Sequence, residues 1–270
     1  MTATVTGSAP AQKVTQARVI HSEWTKLRSL RSSLFSLLVA VVFIIGFGIL
    51  LPAVIAANWP PRNPADRAGF DPTSASLAGV FLAQLAIGVL GVLFITGEYA
   101  TGMIRATFAA VPRRLPVLWA KAVVFAVVSL VVTVPATLIA FLIGQSLLSS
   151  KGIATDLAAP GVLRAVLGTA LYLTLVGLLG LGLGALLRNT AATLSTLFGV
   201  LLVLPVIVLF LPGGWSRTVG RYLPSNAGQA LTTVRPDPHA LAPWTGFGLL
   251  CLYTAVVLVP AAFALRRRDS

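Results

Sequence analysis

The sequence predicts an all-α polytopic membrane protein with six transmembrane helices, and three observations lead there. Of the 270 residues, 57% are hydrophobic and only 10% are charged, against roughly 45–50% and 25% in an average soluble domain. The mean hydropathy is +0.92, more apolar surface than one water-soluble core of this length can bury. The apolar residues also fall into six runs of about 20 residues or more, each long enough to cross roughly 30 Å of hydrocarbon at about 1.5 Å per residue.

Residues 1–16 are small and polar, include Pro10, and read as a disordered tail. Residues 17–268 then form one transmembrane domain. Its first segment, 17-ARVIHSEWTKLRSLRSS-33, places Ala17, Ile20, Trp24 and Leu27 at helical spacing among Lys26, Arg28 and Arg31. That pattern predicts an amphipathic helix lying in the membrane interface, with Trp24 at head-group level and the arginines snorkelling toward phosphates. About thirty polar or mixed residues precede the first apolar run, which is too long for a cleavable signal, so the first span is expected to stay in the mature chain.

The spans are read at 34–56, 76–96, 117–143, 162–187, 191–211 and 244–265. Only 188-RNT-190 separates the fourth from the fifth, so Arg188 and Asn189 have to make that turn. Pro52, Pro135, Pro205 and Pro260 are expected to kink or end helices where neighbours satisfy the freed carbonyls. In 176-VGLLGLGLGALL-187, Gly177, Gly180 and Gly184 mark a face for close helix packing, within the chain or between two copies. The stretch 212–243 carries Trp215, Tyr222, Gly and Pro with a short helix from Ser225, and suits a partly re-entrant hairpin better than a free loop.

The net charge is +13. The basic residues form no single patch and carry no nucleic-acid-binding signature, so no nucleic-acid partner is expected. They sort by side instead. With the N-terminus inside, Lys13, Arg18, Lys26, Arg28, Arg31, Arg105, Arg113, Arg114, Lys121, Arg188, Arg266, Arg267 and Arg268 share one face, and Arg62, Arg67, Lys151, Arg164, Arg217, Arg221 and Arg235 the other. The majority side defines the cytoplasm, which puts both termini there and basic loops against anionic lipid head groups.

Little chemistry can be assembled from the remaining residues. All seven acids lie in loops or at span ends, which disfavours an ion-driven relay through the membrane. His21 and His239 fall on opposite sides and Cys251 is the one cysteine, so no zinc site, disulfide or Ser-His pair is in prospect. No G-x-x-x-x-G-K-[ST] phosphate loop occurs, so the chain is not expected to hydrolyse nucleotide or to be an enzyme. Polar residues within or beside spans, such as Gln84, Gln145, Tyr172 and Thr174, serve helix packing.

The exception is 96-TGEYATGMIRATFAAVPRRL-115, which sits between the second and third spans. Thr96 and Gly97 are read as ending the second span, with Glu98 near the N-terminus of a short new helix, where the exposed N–H groups favour a carboxylate. Gly102 permits close backbone approach, Met103 and Phe108 are apolar anchors, and Arg105 projects. A plain turn needs only a few residues; this segment reads as a surface held by a soluble partner.

Taken together, 22-SEWTKLRSLRSS-33, 96-TGEYATGMIRATFAAVPRRLPVLWAK-121 and 222-YLPSNAGQALTT-233 resemble the permease subunits of ABC-2-type ABC transporters, especially small actinobacterial ones. The resemblance runs through most of residues 18–268. It implies a bacterial plasma-membrane permease of six helices with an N-terminal interfacial helix and a cytoplasmic coupling helix at Gly97–Arg114. It further implies pairing with a second permease copy or paralogue, and separate ATP-binding cassette subunits that bind the ATP and Mg while this chain holds no cofactor. Glu98 and Arg105 would contact that ATPase, and Glu23 and Lys26 either the ATPase or the coupling segment. Export of a hydrophobic or amphiphilic substrate fits the scarcity of charge in the spans. A non-transporting membrane scaffold that recruits a soluble partner is the competing reading; a lipid-modifying enzyme would need clustered acids or histidines.

Overall fold

The computed structural model describes residues 15–267 apart from 62, 65–66, 68, 112–113, 213 and 236–237. Most of the tail, the pair Pro112–Arg113 and Arg268 therefore lie outside the described residues. Every regular element among those described is a helix. Helix α1 (Gln16–Ser29) meets α2 (Arg31–Ala57) at a single extended residue, Leu30, whose φ of −82° and ψ of 112° turn the chain from one axis to the next. A short α3 (Pro72–Ser76) leads into α4 (Val80–Ala100), α5 (Met103–Ala110) and the 35-residue α6 (Leu115–Ser149). Then come α7 (Val162–Leu187), α8 (Thr190–Phe198), a π-helical turn (Gly199–Val203) and α9 (Leu204–Leu209). The chain finishes with α10 (Trp215–Gly220), α11 (Pro224–Gln229) and α12 (Pro243–Arg267).

Six stretches among the described residues are long and apolar enough to cross a membrane: α2, α4, α6, α7, the continuous run Thr190–Leu209, and α12. The protein is an all-α polytopic membrane protein. Helices α4 and α7 form its centre, with α2 and α6 on one flank and α12 against α7 on the other. Pro52, Pro135 and Pro260 lie inside helices that continue through them, while Pro205 sits in the first turn of α9 just past the π-helical turn. The 188–190 turn is tight: Arg188 closes α7 in the left-handed region at φ 54°, and the Asn189 side chain caps α8 by accepting from the Ala192 N–H at 2.9 Å.

Glycines set the central contact. A Cβ on Gly91 would lie 2.0 Å from the Gly177 carbonyl oxygen, one on Gly180 2.8 Å from the Gly88 carbonyl oxygen, and one on Gly184 2.6 Å from Ile95 Cγ2. The small residues of α7 thus face α4 within the chain and let the two backbones nearly touch. Buried polar side chains are satisfied across helices: Tyr172 donates to Gln84 Oε1, Thr174 Oγ1 lies 3.1 Å from Ser129 Oγ, and Gln145 Nε2 donates to Ser76 Oγ at 2.9 Å.

The 212–243 stretch turns back into the bundle. Ala227 and Leu231 are fully buried, Gly228 lies against Tyr172 and Leu250, and Arg164 of α7 donates to the Leu231 and Thr233 carbonyls at 3.2 and 3.0 Å. Only small residues fit α11 into that wedge between α7 and α12.

Candidate functional site

The charged side chains that the membrane excludes collect at one end of the bundle. Three helices deliver them: α1 carries Glu23 and Lys26, the last turn of α4 carries Glu98, and the second turn of α6 carries Lys121. Lys121 Nζ donates to Glu23 Oε2 at 2.6 Å and to Glu98 Oε1 at 2.7 Å. Lys26 Nζ donates to Glu23 Oε1 at 2.7 Å and to the same Glu98 Oε1 at 2.9 Å. Two carboxylates and two ammonium groups close a neutral ring, at the short distances of charge-assisted hydrogen bonds.

The ring is deeply buried: Glu23 is 0%, Lys121 1% and Glu98 4% exposed. Lys121 also lies 4.5 Å from the centre of the Phe94 ring, where the π face favours a desolvated cation. Glu98 is asymmetric. Its Oε1 accepts from both lysines while its buried Oε2 has no partner among the described residues.

Lys26 is the one member that reaches outward. Burial works against its charged form, but the hydrogen bonds and charges of Glu23 and Glu98 outweigh that and hold its pKa above the ordinary lysine value. A raised folded-state pKa contributes stability that is fully present below the unfolded value of about 10.4 and is lost as pH climbs through the folded one. Thermal melts of wild type and Lys26→Met should therefore differ most near neutrality and converge above about pH 10.5; a gap that widens with pH would contradict the ring's charge state.

The second bond made by Lys26 reaches α5, where its Nζ lies 3.0 Å from Thr107 Oγ1. Gly102 starts α5 at φ 72°, a left-handed conformation that a side chain disfavours, so the chain reverses abruptly after α4. Ile104 and Phe108 are buried beneath α5, with the Arg114 guanidinium 5.3 Å over the Phe108 ring. Met103, Arg105 and Ala106 are exposed on the other side. An eight-residue helix is thus pinned to the charge ring by one face and presents the other outward.

Several expectations are corrected here. The second span does not end at Thr96–Gly97: α4 runs on to Ala100, so Glu98 lies in its last turn rather than at the start of a new helix. A carboxylate is disfavoured at a helix C-terminus, and the two lysines supply what the dipole does not. Glu98 and Glu23, expected at a partner's surface, are enclosed and have no surface to offer one. Met103 does not anchor α5 to the bundle; Ile104 does. Gly97 has open space around it, with nothing within 4 Å of a would-be Cβ.

The inward face of α1 is also one step round from the expected stripe. Val19, Glu23 and Leu27 are its buried residues, because the helix has to aim Glu23 at Lys121. Ala17, Ile20 and Trp24 instead line a shallow apolar recess with Val123 and Val127 of α6, and Trp24 stays 44% exposed. Lys121 is the residue the sequence reading missed, since it counted there only as one more positive charge. Its signal was its setting, 117-VLWAKAVVF-125, where a lysine with no charge of its own segment beside it requires a carboxylate from elsewhere.

No protein-family model and no curated protein matches the chain.

Proposed function

We propose that the chain is the permease subunit of an ABC-2-type ATP-binding cassette transporter, exporting a hydrophobic or amphiphilic substrate with ATP hydrolysed by a separate subunit. The observation that carries the reading is α5. It joins the second and third spans, its inner face is fastened through Ile104, Phe108 and Thr107 to a charge ring shared by α1, α4 and α6, and its outer face offers Met103 and Arg105. A push on α5 from outside the membrane reaches three helices at once through short, buried ionic contacts.

In this reading α5 is the coupling helix, the α1 end of the bundle faces the bacterial cytoplasm, and two permease chains sit on two ATPase subunits. Arg105 rather than Glu98 makes the direct contact, and Glu98 transmits it. The chain should therefore be isolated from its own membrane together with its partners. An ATP-binding cassette ATPase is expected to co-purify, with Arg105→Glu weakening its binding by about tenfold or more and Gly97→Ala leaving it unchanged. Reconstituted in vesicles, the complex should hydrolyse ATP faster when substrate is added. A soluble partner that binds with no such stimulation would make the chain a scaffold, and no ATPase in the complex would end the transporter reading.

A further inference from the structure

We infer that the cleft between α6 and α12 is a binding site for one anionic phospholipid, with an acyl chain in the cleft and the phosphate on Arg266. Helix α12 packs along α7 and makes little contact with α6, so the two flanking helices diverge. The gap has a volume of about 380 Å³ and is floored by Leu175 of α7, with Leu118 and Trp119 on one wall and Ala255 and Phe263 on the other. That volume lies within the roughly 300–1,000 Å³ of sites that bind small ligands.

The chemistry of the lining selects the ligand. Along its length the cleft offers almost nothing polar: Thr254 spends its hydroxyl on the Leu250 carbonyl at 2.9 Å, and Cys251 is a weak donor at best. The charged group on the lining is Arg266, at one end, and among the described residues no carboxylate lines the cleft to neutralise it. Arg114 adds a second guanidinium near that end, where it donates to the Leu265 carbonyl at 3.3 Å. Trp119 stays 56% exposed on the wall, as aromatic residues at head-group depth do. A ligand that fits is apolar for most of its length and anionic at one end, and arginine is suited to holding phosphate through paired N–H donors. The site lies apart from the charge ring and the inference does not depend on the transport reading.

Native mass spectrometry of the purified full chain tests it, with phosphatidylglycerol and phosphatidylcholine of identical acyl chains supplied together. Wild type should retain the anionic lipid about fivefold over the zwitterionic one, the contribution of one basic residue near a head group. Arg266→Gln, an exposed change, should bring the two lipids level, and Ala255→Trp, which fills the cleft, should remove both. Equal retention by wild type, or undiminished phosphatidylglycerol in Arg266→Gln, would overturn the assignment. So would a lipid-free dimer that Ala255→Trp converts to monomer, since the cleft would then be covered by a second copy of the chain.

Discussion

Lys121→Met should lower the thermal stability of the detergent-solubilised chain more than any other single change in the charge ring. Lys121 is 1% exposed and bridges Glu23 to Glu98. Without it, two buried carboxylates share the one remaining ammonium of Lys26. Breaking a buried ion pair by removing one partner costs about 3–5 kcal/mol, because the charge left behind is uncompensated. The intact ring need not stabilise the fold by that amount, since taking four charges out of water offsets most of their mutual attraction. The loss comes from imbalance, so balance should restore it: Glu98→Gln with Lys121→Met leaves the neutral pair Glu23–Lys26 and should regain at least half of the lost stability. Melting followed by size-exclusion chromatography compares the three proteins. A single variant that melts with wild type, or a double variant no better than the single, would show that the ring does not hold α1 in place.

The second large effect is expected at Gly91. Its missing side chain lets the α4 backbone rest on the Gly177 carbonyl, and a Cβ there would stand 2.0 Å from that oxygen. No rotamer relieves a clash between Cβ and backbone, so Gly91→Ala has to force α4 and α7 apart along the central contact of the bundle. Overpacking of this kind costs about 1–3 kcal/mol, occasionally more, and the upper end applies where the obstacle is main chain. Gly97→Ala in the same helix supplies the contrast. Nothing lies within 4 Å of its Cβ, so the helix propensity gained should raise stability by about 0.5–1 kcal/mol. Equal melting temperatures for the two alanine variants would refute the close approach of α4 to α7.

The spans were legible because the hydrocarbon thickness imposes length and apolarity, both of which are read directly from Leu, Val, Ala and Phe. The 188–190 turn was legible for a related reason, since Arg188 and Asn189 are the only polar residues between two apolar runs. Which helix touches which was not. Lipid tails and the protein interior are equally apolar, so a span can be hydrophobic all round and its sequence carries little record of the inward face. Gly180 and Gly184 announced close packing, but their partners in 88-GVLG-91 could be found only from the fold. The candidate site was half visible. Glu23, Lys26 and Glu98 drew attention as polar residues near span ends, yet positions 23, 98 and 121 are brought together by tertiary packing, and periodicity is silent on contacts across that much chain.

The charge ring also has a consequence for how the chain is made. Glu23 and Lys26 emerge early in synthesis, while Glu98 and Lys121 arrive at the end of the second span and the start of the third. Until that hairpin is inserted, α1 carries a carboxylate with nowhere dry to go and must wait at the water boundary. A hairpin threaded the wrong way round would deliver Glu98 and Lys121 to the opposite face, where α1 could not dock and Glu23 would stay wet. Docking of α1 therefore reports that the first three spans have the right polarity, and the same four residues that later hold the helices together serve first as a proofreading step in membrane assembly.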